Sequence, residues 1–293
     1  MKLKNKFQIG QDFILSKVEK SIKDTIKTYN LFSKSDKVLV AVSGGKDSTV
    51  VLYVLHKLGY DVEGITVDAL IGNYTKENLE NLRLVCLKYN IKLHEINFRD
   101  EFGYSLCYLR SVINSKGHNM NSCAVCGVLR RYLLNKHAKL IGAKCLVTGH
   151  NLDDEAQSVL MNLFRNTFEL SARLGPYSGL IERSSFVPRV KPLYFVFEKD
   201  IVAYSKAMKF PVVYSACPCR SGSFRNEVSV VLDELEKSDP LVKLKIITKF
   251  IKILPKLKEY YKNTKELNAC KHCGEPAKED VCQACRIIGL ISK

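Results

Sequence analysis

A short apolar run that ends in two glycines and leads into a second apolar segment is the feature that most constrains the fold. The run Lys37–Val42 is rich in β-branched residues, Ser43–Ser48 reads Ser-Gly-Gly-Lys-Asp-Ser, and an apolar segment spans Thr49–Leu55. This order predicts a buried strand, a tight turn and a helix. Backbone N–H groups at such a helix start bind anions, and glycines let the anion approach closely.

The turn therefore predicts a site for the phosphates of a nucleotide. The spacing is neither that of a Walker A loop nor that of the G-x-G-x-x-G dinucleotide motif. Lys46 adds a positive charge, and the serine hydroxyls are hydrogen-bond donors. The candidate ATP-binding residues at this turn are Val42, Ser43, Gly44, Gly45, Lys46, Asp47 and Ser48.

Strands and helices alternate along most of the chain. After an amphipathic helix at 12–31, further strands are predicted at 61–67, 92–97 and 144–148, and further helices at 75–89, 126–141 and from 151 onward. This alternation indicates an α/β fold with a doubly wound parallel sheet, which binds ligands beyond the carboxyl ends of its strands.

Shifts in composition divide the chain into four regions. We predict an N-terminal helical segment at 1–35, a catalytic domain at 36–225, a C-terminal helical region at 226–266 and a small cysteine-rich unit at 267–293. Within the third region, a lysine-rich helix at 243–262 is expected to be interrupted at Pro255 and to present a solvated face.

The charge balance indicates a polyanionic partner. Lys and Arg number 46 against 30 Asp and Glu, a net charge of +16 that suits RNA, DNA or an anionic membrane. No run approaches the roughly 18 apolar residues that span a bilayer, and the N-terminus lacks the apolar segment of a signal peptide. We therefore expect a cytoplasmic protein without a membrane partner, in which clustered cysteines hold metal.

Two groups of cysteines have metal-ligand spacing. Cys123 and Cys126 form a C-x-x-C pair before a basic helix, and Cys217 follows what is predicted to be the last strand of the catalytic domain. Three thiolates are too few to close a zinc site but suit a [4Fe–4S] cluster with one iron left open. A structural zinc with Cys219 or His118 as fourth ligand is the alternative that the residues leave open.

The second group lies at the end of the chain. Two C-x-x-C pairs separated by eight residues are typical of a zinc ribbon with four cysteine ligands in tetrahedral arrangement, a unit too small to fold without its metal. Its predicted ligands are Cys270, Cys273, Cys282 and Cys285.

Together these motifs resemble a known family. Ser43–Ser48 is similar to the PP-loop of the ATP pyrophosphatases, whose fold is of the adenine nucleotide α-hydrolase type. Gly149–Glu155, Arg189–Tyr194 and the first cysteine group resemble the tRNA 2-thiouridine synthetase group of that superfamily. The resemblance extends from about Phe13 to the C-terminus.

The resemblance implies a reaction and its participants. ATP, with Mg²⁺, would adenylate the C2 oxygen of a uridine in tRNA and release pyrophosphate. Sulfide held on the open iron of the cluster would then displace AMP and leave 2-thiouridine. The sulfur donor would be sulfide or a thiocarboxylated ubiquitin-like carrier protein, and the enzyme would be a homodimer.

The resemblance also implies roles for residues outside the turn. Asp68 and Gly149 would border the adenosine, and Asp154 would lie at the ATP, Mg²⁺ and substrate side. Arg130 and Lys46 would stabilise charge that develops on phosphate. Asp154, Arg130 and Lys46 are thus the candidate catalytic residues.

Three features depart from the pattern of the group. Members often begin with a zinc ribbon, whereas no cysteine precedes Cys86 here. The usual Cys-Pro-Tyr is Cys217-Pro-Cys219, so Cys219 competes with Cys217 as ligand or acts as a sulfur relay. Arg130 stands where some relatives have a catalytic lysine, and arginine cannot act as a general base near neutral pH.

Three alternative functions follow from the same residues. A tRNA 2-thiocytidine synthetase would share the loop and the C-x-x-C pair, but the basic-proline segment and the terminal ribbon favour uridine. A PP-loop amide-forming ligase would hold zinc in place of the cluster and would be colourless. An RNA-binding zinc-ribbon protein with a degenerate nucleotide domain is the interpretation without catalysis, and the intact loop argues against it.

Overall fold

The structure is a computed structural model that describes residues 2–180, 186–215, 217–219, 224–262, 268–277 and 279–291. Parts of all four predicted regions, 1–35, 36–225, 226–266 and 267–293, lie outside the described residues. The part of the chain that the structure describes contains no helix long and apolar enough to cross a bilayer.

Helices and strands alternate as the sequence predicts. The helices are α1 (Lys2–Thr28), α2 (Lys46–Lys57), α3 (Gly72–Lys88), α4 (Phe98–Phe102), α5 (Leu106–Ser115), α6 (Ser122–Ile141), α7 (Leu152–Phe164), α8 (Phe168–Ser171), α9 (Glu198–Ala207), α10 (Phe224–Ser238), α11 (Val242–Tyr261) and α12 (Gln283–Ile291). The strands are β1 (Val38–Ala41), β2 (Val62–Asp68), β3 (Leu93–Asn97), β4 (Cys145–Thr148), β5 (Tyr177–Ser178), β6 (Arg189–Val190), β7 (Asn268–Ala269) and β8 (Pro276–Ala277).

The main sheet has the order β3-β2-β1-β4-β6-β5, and the first five of these strands run parallel. The predicted doubly wound parallel sheet is therefore confirmed, with one antiparallel strand, β5, added at its edge. The chain winds outward from β1 through β2 to β3 and then resumes at β4 on the other side of β1. This reversal is the point where doubly wound sheets bind their ligands, and the turns after β1 and β4 meet there.

Each face of the sheet has its own core. Val38 and Val40 of β1 pack with α1, α2 and α9, whereas Leu39 points to the opposite face and packs with α5, α6 and the cysteine-rich unit. This division follows from the two-residue period of a strand. A third, smaller core joins α7, α10 and α11.

The segment before Cys217 is not a strand, and this prediction is wrong. Pro211 has no N–H to donate to a neighbouring strand, and the N–H of Val212 donates to the carbonyl of Phe210 at 2.9 Å. The chain therefore turns within this segment, and Cys217 is reached from a loop.

Two short helices, α4 and α5, were not predicted. Each begins at a side-chain cap: Asn97 accepts a hydrogen bond from the N–H of Asp100 at 2.9 Å, and Ser105 accepts one from Tyr108 at 3.4 Å. Such caps stabilise the first turn of a helix, so a signal for both helices was present in the sequence.

The lysine-rich helix presents the predicted solvated face, on which Lys245, Lys249, Lys252 and Lys256 are exposed, but the predicted interruption is wrong and Lys243 is an exception. Helix α11 continues through Pro255 without interruption. Lys243 is only 5% exposed, because its ammonium group pairs with Asp153 and Asp233 at 2.8 Å and with Glu236 at 2.7 Å. These ion pairs fasten α10 and α11 to the first turn of α7.

Candidate active site

The predicted phosphate loop connects β1 to α2. Val42 is buried and donates its N–H to Ile65 at 2.9 Å, which fixes the start of the loop on the sheet. Gly44 has φ +80°, and a Cβ there would lie 2.5 Å from the carbonyl oxygen of Asn78. Gly45 occupies the N-cap of α2 and makes no side-chain cap bond, so no cap side chain competes with an anion at this end of the helix.

The hydroxyls of the loop hold its shape. Ser48 Oγ donates to the Gly45 carbonyl at 3.1 Å and accepts from the N–H of Ser43 at 3.2 Å. Lys46 Nζ lies 3.0 Å from an oxygen of Asp47 and 2.7 Å from one of Glu198.

The charge on Lys46 follows from these contacts. Burial alone would lower the pKa of Lys46, but the carboxylates of Asp47 and Glu198 raise it above its usual value. Lys46 is therefore a permanent cation above the loop.

The turn after β4 packs directly on this loop. A Cβ on Gly149 would lie 2.9 Å from the backbone nitrogen of Ser48, so only glycine allows the close approach. Asn151 donates to the Asp47 carboxylate at 3.0 Å and also caps α7 by accepting from the N–H of Asp154 at 3.0 Å. Predicted residues from both turns thus meet at the switch point of the sheet.

Asp154 lies in the first turn of α7, half-buried beside this loop. Burial raises the pKa of its carboxyl group, and the positive charge of Arg225, 3.6 Å away, opposes that rise. A carboxylate with a raised pKa next to a nucleotide loop is suited to accept a proton.

One cavity of about 270 Å³ connects the loop to the first cysteine group. Ser43 and Asp68 line it at the nucleotide end, where Asp68 ends β2 and accepts a hydrogen bond from the N–H of Leu70 at 2.6 Å. At the other end it is lined by Cys123, Cys126, Arg130, Cys217 and Cys219.

The cysteines reach the cavity from two parts of the chain. Cys123 and Cys126 lie within the first turns of α6, which Asn121 caps by accepting from the N–H of Ala124 at 2.7 Å, rather than ahead of the helix as predicted. The thiol of Cys123 donates to the backbone carbonyl of Cys219 at 3.4 Å, which ties the helix to the Cys217 loop.

Arg130 lies one turn after Cys126 on the same helix. The pKa of the Cys126 thiol is raised by burial, and the positive charge of Arg130 opposes part of this rise. Arg130 Nε is buried and has no hydrogen-bond partner among the described residues. A guanidinium at a cavity wall with one N–H still free to donate is suited to an anionic ligand or a thiolate.

The two cysteine groups differ in spacing. The sulfur atoms of Cys270, Cys273, Cys282 and Cys285 all lie within 4.8 Å of one another, and among the described residues no other group of three or more ligands does so. Such convergence fits one tetrahedral ion. The sulfur atoms of Cys123, Cys126 and Cys217 do not all lie within 4.8 Å of one another.

The cysteines of the terminal group differ in environment: burial raises the pKa of Cys273 to about 11 and also raises that of Cys285, whereas the pKa of Cys270 is lowered. The N–H of Cys282 donates to the sulfur of Cys270 at 3.2 Å; burial alone would raise the pKa of Cys270, but such backbone donors lower it to about 6. The unit docks on α6, where Lys139 Nζ lies 2.6 Å from Glu275.

Several residues around the site were not predicted. Tyr74 and Asn78, one turn apart on α3, line the cavity, Asn151 contacts Asp47 of the loop, and Arg225 contacts Asp154 of α7. Asn151 was detectable as an N-cap after a strand, but no local signal marks the others.

Comparisons with known proteins agree with this arrangement. A family model described as the PP-loop domain matches residues 14–217. The chain is 34% identical over 276 residues to the tRNA-5-methyluridine(54) 2-sulfurtransferase of Pyrococcus horikoshii, with 93% of this chain and 84% of the relative covered. It is 32% identical over 294 residues to the cytoplasmic tRNA 2-thiolation protein 1 of Caenorhabditis briggsae, with 98% and 76% covered.

A solved structure is similar throughout. The U34-tRNA thiolase NcsA from Methanococcus maripaludis, solved with its [4Fe-4S] cluster, superposes with a TM-score of 0.79 at 28% identity, covering 94% of this chain and 88% of that one. The nucleotide loop, the cavity and these relatives lead to one assignment. The chain belongs to the PP-loop family, among the tRNA 2-thiolation proteins.

Proposed function

We propose that this protein is an ATP-dependent tRNA-uridine 2-sulfurtransferase that converts a uridine to 2-thiouridine. The observation that carries the proposal is the shared cavity, lined by Ser43 and Asp68 at one end and by Cys123, Cys126 and Cys217 at the other. Activation of an oxygen by ATP and its replacement by sulfur require both sites to reach the same atom.

The loop residues bind and orient ATP. The N–H groups at the start of α2, with Lys46, hold the phosphates, and Asp68 and Gly149 border the adenosine. The carboxylates of Asp47 and Asp154 are oxygen donors of the type that Mg²⁺ prefers.

The first step joins the base to the nucleotide. The uridine C2 oxygen attacks the α-phosphorus, a new O–P bond forms, and pyrophosphate leaves. Asp154 accepts the N3 proton of uridine, which increases the electron density on the C2 oxygen. Lys46 and Arg130 stabilise the negative charge that develops on the phosphate oxygens.

The second step replaces the activated oxygen by sulfur. Cys123, Cys126 and Cys217 would hold a [4Fe–4S] cluster, whose three-thiolate ligation leaves one iron open to bind sulfide when the cluster is present. The cavity wall between α3 and α6 orients the adenylated base. Attack of the sulfide on C2 forms the new C–S bond, the C2–O bond breaks, and AMP departs with the former C2 oxygen. Asp154 returns the proton to N3.

The remaining partners belong to the same proposal. Cys270, Cys273, Cys282 and Cys285 hold a structural Zn²⁺. The sulfur donor is sulfide or a thiocarboxylated ubiquitin-like carrier protein, and the enzyme acts as a cytoplasmic homodimer.

We expect anaerobic protein, given tRNA, ATP, Mg²⁺ and sulfide, to form 2-thiouridine together with AMP and pyrophosphate. Mass spectrometry of the digested nucleosides and chromatography of the nucleotides measure both products. Omission of ATP, or its replacement by an analogue with an uncleavable α–β bridge, is expected to abolish thiolation. Formation of 2-thiocytidine would favour a cytidine thiolase, and ATP consumption without any sulfur transfer would contradict the proposal.

A further inference from the structure

Two arginines stand beside each other at the edge of the cavity. The side chain of Arg131 lies along its own helix, α6, against Gly127. A Cβ added to Gly127 would lie only 3.0 Å from Arg131 Nη1. Arg189 of β6 donates from Nη2 to the backbone carbonyl of Arg131 at 3.3 Å. The guanidinium of Arg189 therefore lies next to the turn of α6 from which Arg131 projects.

Neither guanidinium lies within salt-bridge distance of a carboxylate of the described residues. Burial lowers the pKa of Arg131, and negative charge on the Cys126 thiol opposes this shift. Burial and the charge of Arg131 lower the pKa of Arg189 to about 10. Glu275 opposes this shift, but its two oxygens already bind Lys139 and Asn135. Two like charges held close together without a carboxylate at salt-bridge distance are costly, and a bound anion lowers that cost.

A third cation extends this positive region along the sheet. Lys258 of α11 donates from Nζ to the backbone carbonyl of Tyr177 on β5. Tyr177 pairs with Val190 of β6, the residue that follows Arg189. Burial and the charge of Lys191 lower the pKa of Lys258. Lys191 itself is paired with the buried Glu155 at 2.7 Å, so it adds little free charge.

The arginine pair lies next to the cysteine end of the cavity. Gly127 and Cys126 line the cavity, and Arg131 lies against Gly127. An anion on the pair would be just outside the cavity, at the cysteine end.

Arginine's planar fork matches the oxygens of a phosphate. Contacts to phosphates set the register of a nucleic acid, and contacts to bases then read the nucleotide. We infer that Arg131 and Arg189 bind a phosphodiester group of the RNA adjoining the nucleotide that enters the cavity. This inference rests on the proposed function, because it names where the RNA backbone of the substrate is held.

The test compares Arg131→Gln/Arg189→Gln with Lys23→Gln/Lys27→Gln in the full-length protein. Both double variants remove two charges, but the lysines are exposed on α1, which packs on the opposite face of the sheet from α6. Binding of tRNA is measured at several salt concentrations, alongside ATP binding and iron content.

We expect the arginine variant to bind tRNA about tenfold more weakly at moderate salt, with a log–log salt slope smaller by about 0.7–0.9 for each phosphate that is no longer bound. ATP binding and iron content are expected to stay at wild-type levels, and the lysine variant should bind tRNA nearly as the wild type does. Arg131→Lys/Arg189→Lys should recover part of the affinity, because it keeps the charge without the fork.

Equal losses in the arginine and lysine variants would overturn the inference, since net charge alone would then explain them. A loss of ATP affinity without a loss of tRNA affinity would also overturn it, because the pair would then bind the nucleotide. Both results are compatible with a wild-type enzyme that thiolates tRNA. Failure of the proposed function is recognised separately, by absence of thiolation in the wild type.

Discussion

Replacement of Cys126 by alanine is expected to remove the iron and to reduce thiolation to background. Cys126 lies on the wall of the shared cavity beside Arg130, and it is one of the three proposed cluster ligands. Wild-type protein purified without oxygen should contain about four iron atoms and about one zinc per chain. The variant should keep its zinc, because the four terminal cysteines form a separate site. Metal analysis, the visible absorption spectrum and the thiolation assay measure these effects.

A suitable control is Cys86→Ala, which removes a thiol buried against the other face of the sheet. This variant should keep both iron and activity, apart from a modest loss of stability. Wild-type protein that is colourless and binds two zinc ions would contradict the cluster assignment. So would a Cys126→Ala protein that keeps its full iron content.

Replacement of Gly44 by alanine is expected to abolish ATP binding. The backbone of Gly44 has φ +80°, which costs an L-residue about 1–2 kcal/mol, and the new Cβ would lie 2.5 Å from the Asn78 carbonyl oxygen. Either the loop or the start of α3 must move, and the loop amides would then no longer converge on the phosphates. Titration calorimetry with ATP measures the loss.

The neighbouring glycine provides a matched control. Gly45 has φ −81°, and a Cβ there would meet only Ser43 Oγ at 3.5 Å, an ordinary contact. Gly45→Ala should therefore keep a normal iron content and lose less ATP affinity than Gly44→Ala. Equal ATP affinity in Gly44→Ala and wild-type protein would show that the loop does not hold the phosphates in the way we propose.

The parts of the fold that could be predicted are those set by local patterns. The apolar run 37–42, the two glycines and the following helix are adjacent in sequence, so the strand, turn and helix were predictable. The terminal four-cysteine unit was predictable for the same reason, since its ligands lie within 16 consecutive residues, Cys270–Cys285.

Features that depend on distant residues could not be derived from local patterns. Cys217 and Cys126 are far apart in sequence, and the residues alone offered a shared site only as one hypothesis beside a structural zinc, which the resemblance to a family then favoured. Arg131 and Arg189 lie far apart in sequence, and nothing in their neighbourhoods shows that the fold joins them. Lys243 was misjudged because a lysine in a lysine-rich helix is usually solvated, whereas here three carboxylates surround it.

The start of α6, which carries the cysteine pair, was also predicted too late in the chain. Asn121, a common helix-capping residue, lies two positions before Cys123, so the helix begins at Ser122. The predicted helix began at residue 126 because that prediction relied on the basic residues after Gly127. Because the pair lies on a helix rather than a loop, its two sulfur atoms are held by the same element that carries Arg130. This arrangement links the predicted cluster ligands to a predicted catalytic residue.

The most direct test of the account follows the oxygen that ATP is proposed to activate. A tRNA substrate carrying a heavy oxygen isotope at the uridine C2 position would be thiolated under anaerobic conditions, and the AMP would be analysed by mass spectrometry. We predict that the heavy oxygen appears in AMP in proportion to the 2-thiouridine formed, because the C2 oxygen attacks the α-phosphorus and leaves with it. Unlabelled AMP beside newly formed 2-thiouridine would contradict the proposed adenylation of the base.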